Sequence, residues 1–267
     1  MSGSILLNDI AHGIFAEAGC QSGVLSSVPV LRKYDFGFEP KSTVVAVFPY
    51  FVERERDANL CRYAVVPDYH TVVGDYLRDA AQKLSERDPD FHFRAFVDSS
   101  PVAEVYAAAC AGLGVIGRNG LLITPQWGSY VFIGCIVTDV QTDIAPVEPQ
   151  QCLNCGACLR SCPVKALSSD GFDKNRCLSA VTQRKGELTA AETQLIRENG
   201  LVWGCDTCQS VCPMNKNARP THIPEFLGGV KQKLLPADLA GDLSDRAFCW
   251  RGKNVLRRNL EIFKQLW

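Results

Sequence analysis

The 267-residue chain has almost no net charge: 28 Lys and Arg stand against 29 Asp and Glu, leaving −1. Nothing global draws it to nucleic acid or to an anionic membrane, so any such contact has to come from a local basic patch. No run approaches the roughly 20 apolar residues of a membrane helix. The N-terminus, MSGSILLNDIAHGIFAEAGC, has no basic cluster before its apolar stretch and no twin arginine, which argues against an export signal. There is no low-complexity tract, and no repeat beyond two related cysteine motifs. The expectation is a cytoplasmic protein with no membrane partner, in a compartment that keeps thiols reduced. Disulfides are then poor candidates, and the thirteen cysteines need another use.

What is present is an ordinary globular composition, 46% hydrophobic and 21% charged, over a length that suits one large domain or two ordinary ones. Residues 5–19 pattern as an amphipathic helix. STVVAVFPYF (42–51) reads as a buried strand, and FHFRAFVD (91–98) alternates like a strand. DYHTVVGDYLRDAAQKLSER (68–87) carries Val72, Tyr76, Leu77, Ala80 and Leu84 at helical spacing. Pro101 followed by VAEVYAAACAG predicts a helix with proline in its first turn and Gly112 at its stop. GLLIT (120–124) and SYVFIGCIVTD (129–139) read as strands, and AAETQLIREN (190–199) as a helix. The predicted class is α+β. A mixed α/β domain spans residues 1–145, a cysteine-rich domain 146–220 and a helical tail 221–267.

Eight cysteines lie between 152 and 212. Cys152, Cys155, Cys158 and Cys162 are spaced C-x2-C-x2-C-x3-C and followed by Pro163, the ligand run of bacterial ferredoxins. Three thiolates two residues apart wrap one cubane, and the fourth, turned away before proline, ligates a second. Cys205, Cys208 and Cys212-Pro213 repeat the end of that motif, and Cys177 completes the count. The crossed rule assigns one [4Fe–4S] cluster to Cys152, Cys155, Cys158 and Cys212, and the other to Cys162, Cys177, Cys205 and Cys208. Paired C-x2-C motifs also bind zinc, but a zinc site requires neither the full run nor its echo. Two adjacent clusters make an electron wire, which implies an acceptor in the chain or in a partner.

Outside this region the signals are weaker. Gly112, Gly114 and Gly117 match G-x-G-x-x-G, but a helix precedes them and a strand follows, the inverse of a dinucleotide site, so they read as a tight turn. Asp98 ends an apolar strand. A partly buried carboxyl there has a raised pKa and suits a general acid; the competing reading, favoured by the residues alone, is a cap on the helix near Pro101. Cys61 is either reactive or simply buried, and His70 reads as structural. Cys20, Cys110, Cys135 and Cys249 read as core.

The segments RYAVVPDYHTVV (62–73), RAFVDSSPVAE (94–104), AGLGVIGRNGLLI (111–123), CLNCGACLRSCPVKAL (152–167), RCLSAVTQRKGEL (176–188), GCDTCQSVCPMNK (204–216) and WRGKNVLRRN (250–259) resemble, in order, those of the epoxyqueuosine reductases. FVDSSPV and GCDTCQSVCPMNK are the specific ones. The resemblance implies a cobalamin-binding domain similar to that of reductive dehalogenases, followed by a bicluster ferredoxin module, in a reductase that converts epoxyqueuosine to queuosine in tRNA. It implies that Asp98 is the proton donor. It implies cobalamin contacts at Cys61, Leu122, Ile133, Ser179, Asp206 and Thr207, a tRNA contact at Lys185, and an external electron donor such as ferredoxin or flavodoxin. It further implies that the chain stops within the first helix of the family's C-terminal helical repeats, with Arg251, Lys253, Arg257, Arg258 and Lys264 as a basic tail. Two other functions compete: a bicluster carrier reducing a corrinoid or partner protein, and a dehalogenase-like enzyme on a small molecule.

Overall fold

The computed structural model describes residues 3–169 and 171–264, so residues 265–267 of the expected C-terminal helix lie outside it. The chain opens with helix α1 (Gly3–Glu17), whose Leu7, Ala11 and Phe15 recur at helical spacing and are buried. Strands β1 (Gln21–Leu25) and β2 (Ser42–Pro49) follow, then short helix α2 (Arg62–Val65), long helix α3 (Tyr69–Arg87) and strand β3 (Phe93–Val97). Helix α4 (Glu104–Cys110) leads into a small hairpin of β4 (Val115–Ile116) and β5 (Leu122–Ile123), and then strand β6 (Val131–Thr138).

Four strands form one antiparallel sheet in the order β1-β2-β6-β3. The chain is therefore α+β. Strand β2 is buried over its whole length because both faces of the sheet are covered. Its alternate residues divide between two cores: Val44, Ala46 and Phe48 point toward α1 and α3, while Val45 and Val47 point toward α4. Each buried Val or Phe among them contributes about 1.5–3 kcal/mol of hydrophobic stabilisation. Gly134 of β6 lets α3 sit close, since a Cβ there would meet Leu77 Cδ1 at 2.5 Å.

Helix α4 begins at Glu104, three residues after Pro101, so the proline lies outside its first turn. Gly112, at φ 76°, ends it as expected. The glycines that follow serve the β4–β5 hairpin: a Cβ at Gly114 would meet the Ile123 carbonyl oxygen at 2.5 Å.

The cysteine-rich segment adds α5 (Ala157–Ser161), a two-stranded ribbon of β7 (Leu167–Ser168) and β8 (Gly171–Phe172), then α6 (Leu178–Gln183), α7 (Ala190–Asn199) and α8 (Thr207–Ser210). Helix α7 has the expected bounds, fixed by a capping box between Thr189 and Glu192 and by Gly200 in the left-handed conformation. The remainder is α9 (Pro224–Leu227), three 3-10 turns (Pro213–Asn215, Pro236–Ala240 and Ala247–Cys249) and α10 (Lys253–Lys264). Ile223, Phe226, Leu234, Phe248, Leu256 and Leu260 join the same core as Phe15, Phe48 and Leu77. The tail is thus woven into the first domain's interior.

Candidate functional site

The first cysteine run bends around its own thiols through two left-handed residues, Asn154 (φ 52°) and Gly156 (φ 71°), the second standing immediately before α5. Helix α5 packs against α8, which carries the second motif. Two cavities result. A small one, of about 20 Å³, is lined by Cys152, Cys155, Cys158 and Cys212. A large one, of about 460 Å³, is lined by Cys162, Cys177, Cys205 and Cys208 together with residues of the N-terminal sheet. Cys212 therefore joins the three leading cysteines of the first motif, and Cys162 joins those of the second. Among the described residues no three His, Cys, Asp or Glu side chains form a group set for a single metal ion; the thiols surround voids.

The donor set suits an iron–sulfur cubane. Burial and neighbouring sulfurs push Cys208 up to about 12, opposed by a hydrogen bond from Asn119, and burial likewise raises Cys205. Bare thiolates are costly here, and iron is the partner that makes four of them stable together. The segment is locked to the sheet by a buried amide network. Gln209 Nε2 donates to Tyr50 Oη (3.1 Å) and to the Ser129 carbonyl (3.0 Å). Asn215 Nδ2 donates to Ser129 Oγ (2.8 Å), and the Ser129 N–H donates back to Asn215 Oδ1 (2.8 Å).

The large cavity extends from the second thiol set to Asp98, past Leu121, Val131, Phe132, Ile133 and Leu178. Its volume lies within the cofactor range, roughly 300–1,000 Å³, and its walls are mainly apolar. Asp98 stands just past the end of β3 in a left-handed conformation, φ 58°. Its Oδ2 accepts from Tyr69 Oη at 2.7 Å and pairs with His70 Nε2 at 3.0 Å. His70 Nδ1 lies 2.8 Å from Asp68 Oδ1, and Asp68 also caps α3 by accepting the His70 N–H.

These contacts overturn two expectations. Asp98 caps no helix: the N-cap of α4 is Ala103, which has no capping side chain, and Ser100 Oγ instead accepts the Val102 N–H. Nor is its pKa raised. The His70 hydrogen bond holds it below the usual carboxylate value, aided by Tyr69, and together they outweigh burial. The proton is held by His70 instead, raised to about 9 by Asp68 and Asp98. Glu104, which also lines the cavity, is raised to about 8 by burial and by the charge of Asp98. One of its oxygens is buried without a hydrogen-bond partner among the described residues.

Of the implied cobalamin contacts, Ile133, Ser179 and Thr207 line this cavity. Leu122, Cys61 and Asp206 are not among its lining residues. Leu122, expected to make its contact through the backbone, packs its side chain into the core under α4, while the preceding Gly120 and Leu121 line the cavity. Cys61 is fully buried, its thiol pushed well up by burial, which removes the reactive reading. Asp206 is 3% exposed, accepts the Arg62 N–H at 2.8 Å and has Arg54 Nη1 at 3.6 Å. Cys20, Cys110 and Cys135 are core residues, while Cys249 is only partly buried. Lys185 lies apart, in a basic hollow with Arg251, Lys253 and Arg258. Sequence reading missed Tyr69, Glu104 and Asn119 and took His70 as purely structural. The available signal was the run Asp68-Tyr69-His70 at a helix start, where an acceptor, a hydroxyl and an imidazole share one turn.

Residues 151–215 match the family described as a 4Fe-4S double cluster binding domain, and residues 34–99 match epoxyqueuosine reductase QueG, DUF1730. Curated epoxyqueuosine reductases are similar along most of the chain. That of Pseudomonas aeruginosa is 40% identical over 204 residues, covering 75% of this chain and 54% of its own. That of Gloeobacter violaceus is 36% identical, covering 75% and 65%, and that of Lactococcus garvieae 35%, covering 72% and 57%. The chain thus spans between half and two thirds of the length of these relatives. The solved epoxyqueuosine reductase of Streptococcus thermophilus shares the fold, with a TM-score of 0.78 at 24% identity over 95% of this chain and 79% of its own. An epoxyqueuosine reductase solved with an epoxyqueuosine-modified tRNA-Tyr stem loop gives 0.79 at 22%, over 97% and 80%. With a double-cluster segment following the QueG segment, in the fold of these enzymes, the chain is a relative of the epoxyqueuosine reductase family.

Proposed function

We propose that the protein reduces epoxyqueuosine to queuosine in tRNA, using two [4Fe–4S] clusters held by the two thiol sets and a cobalamin in the large cavity. The observation that carries this reading is a single cavity lined both by Cys162, Cys177, Cys205 and Cys208 and by Asp98. Electrons and protons therefore reach one space. Bound there, cobalamin would supply the low-potential metal for a two-electron reduction.

The chain's own residues hold and move the proton. Asp98 faces the cavity, and His70 stands behind it at 3.0 Å, charged at neutral pH and anchored by Asp68. A proton passes from the imidazolium through the Asp98 carboxyl to the departing epoxide oxygen. Tyr69 fixes the carboxyl's orientation. Conversion of the epoxide to the alkene consumes two electrons and two protons and releases water. The tRNA is met through Lys185 and its basic hollow, the electrons come from a ferredoxin or flavodoxin, and the work is done in the cytoplasm.

The test is anaerobic reconstitution with iron, sulfide and cobalamin, then metal analysis and assay on epoxyqueuosine-containing tRNA. Two cubanes correspond to about eight irons per chain, with one cobalt and formation of queuosine. The same metals without queuosine leave a corrinoid redox protein with another substrate, and absence of cobalt leaves an electron carrier.

A further inference from the structure

The two thiol sets differ in how they meet solvent. In the large cavity Cys162 is buried and Cys177, Cys205 and Cys208 are partly buried, whereas Cys155 of the small cavity is exposed. Around Cys155 the surface has a definite chemistry. Leu153, two residues away, is 70% exposed, and Val211, beside Cys212, is 37% exposed. Two cations are fastened to this loop and a third to the helix that follows it. Arg118 Nη1 donates to Asn154 Oδ1 at 2.8 Å, Arg160 Nη1 to the Cys155 carbonyl at 3.0 Å, and Lys165 Nζ to the Arg160 carbonyl at 3.0 Å. Lys216, exposed, follows Met214 of the cavity wall.

No aspartate or glutamate occurs in residues 113–128, 149–169 or 207–220, the segments that frame this cavity. In a chain of net charge −1 that is a marked local imbalance. Among nearby acids, Glu148 acts on Tyr106, and Asp173 follows the β7–β8 ribbon.

We propose that this face docks the acidic surface of a small one-electron carrier protein, which delivers electrons through the cluster in the small cavity. The inference rests on the cluster reading given above and names the entry point of its electrons. A small apolar spot ringed by cations suits a brief encounter: transient redox interfaces are small, below about 1,200 Å², and complementary charge raises the association rate more than the affinity. Each encounter oxidises the carrier by one electron and reduces the cluster by one. The second set, further from solvent, passes the electron inward to the large cavity. RNA is also polyanionic, but the Lys185 hollow is a separate basic surface, and among the described residues only the face described here surrounds an exposed cysteine.

The experiment uses the reconstituted full chain and a fully reduced flavodoxin as probe. Stopped-flow bleaching of the cluster absorbance gives the second-order rate at several salt concentrations, and calorimetry gives binding to the oxidised protein. Arg160→Glu/Lys165→Glu and the milder Arg118→Gln are compared with Lys83→Glu, a charge change on α3. The expected result is a fall of ~10-fold or more in the flavodoxin rate at low salt for the double variant, with a flattened salt dependence and weakened binding. Iron content, reduction by dithionite and the Lys83→Glu rates stay at wild-type values. Equal flavodoxin rates in wild type and double variant overturn the proposal. So does a double variant that loses affinity for a tRNA stem loop while keeping its flavodoxin rate, which assigns the face to RNA. A wild type that binds no iron and shows no dithionite bleaching removes the cluster reading itself, and the docking proposal with it.

Discussion

Asp98 and His70 form a 3.0 Å pair whose proton belongs to the imidazole, not to the carboxyl that faces the cavity. Within the proposed mechanism, the acid that touches substrate is refilled from behind. Asp98→Asn keeps the shape and loses the relay. Turnover on epoxyqueuosine-tRNA should fall by about 10²–10⁴-fold, the usual contribution of a positioned general acid. Iron and cobalt contents should match wild type. Loss of turnover accompanied by loss of metal would make Asp98 a structural residue.

The same pair sets a pH window for stability. His70 has an ordinary value of 6.5 and is raised to about 9 in the fold, so its contribution is fully present below pH 6.5 and is lost as pH rises through about 9. Thermal midpoints of the wild type should fall across that interval. In His70→Gln the fall should be shallower, and a variant curve parallel to wild type from pH 6 to 10 would contradict the assignment.

Glu104 also loses stability as pH rises, but because the fold disfavours its charged form. Its carboxyl ionises near 4.5 when unfolded and near 8 when folded, so folding is penalised increasingly between those values. Glu104→Gln removes the penalty. Relative to wild type the variant should gain stability as pH rises from 5 to 8, with no further gain above that. Denaturant midpoints at pH 5 and pH 9 measure this directly, and equal differences at the two would show that Glu104 is not held protonated.

Crossed ligation makes a prediction that sequence order alone would get wrong. Cys212→Ala, in the second motif, should remove the cluster of the first cavity, and Cys162→Ala, in the first motif, that of the second. In each variant iron should drop from about eight to about four per chain, a single cubane. Electron paramagnetic resonance of the reduced proteins should show a different surviving cluster in each. With Cys155→Ala as the reference, the Cys212→Ala spectrum should match it; a match of Cys162→Ala to that reference instead would mean that the cysteines pair motif by motif.

Gly204 tests the join between the segments. It sits at φ 77°, and a Cβ there would meet Cys61 Sγ at 2.0 Å. Gly204→Ala should cost about 1–3 kcal/mol, the range of overpacked cores, with further strain from the left-handed backbone. Equilibrium denaturation reads this. An unchanged midpoint would mean that α2 and the second motif are not tightly packed.

Much of this was legible in the residues. The pattern in 42–49 announces a buried strand because both faces of β2 are covered, and Thr189 with Glu192 announces the start of α7. The cysteine spacings announced two sets because a thiolate run has few geometries around a cubane. What was hidden depended on long-range packing. The Asp98 environment is built by Tyr69 and His70, 29 and 28 residues earlier, and a strand-terminal aspartate followed by serines and proline looks like a helix cap until that helix is seen to start at Glu104. Leu121 stands just before β5 and Leu122 begins it, and which of the two lines the cavity follows from how the β4–β5 hairpin lies on α4.

The placing of Phe226, Leu234, Leu256 and Leu260 in the core of Phe15, Phe48 and Leu77 bears on how the protein is made. The ribosome delivers the N-terminal sheet well before the segment that finishes its interior, and all eight ligand cysteines emerge in between. Pairings across such distances form slowly, because their loop-closure entropy must be met before the contacts repay it. During synthesis the thiols are therefore exposed while the first half still has an unfilled flank, and closure of that flank fixes the cysteine-rich segment in place.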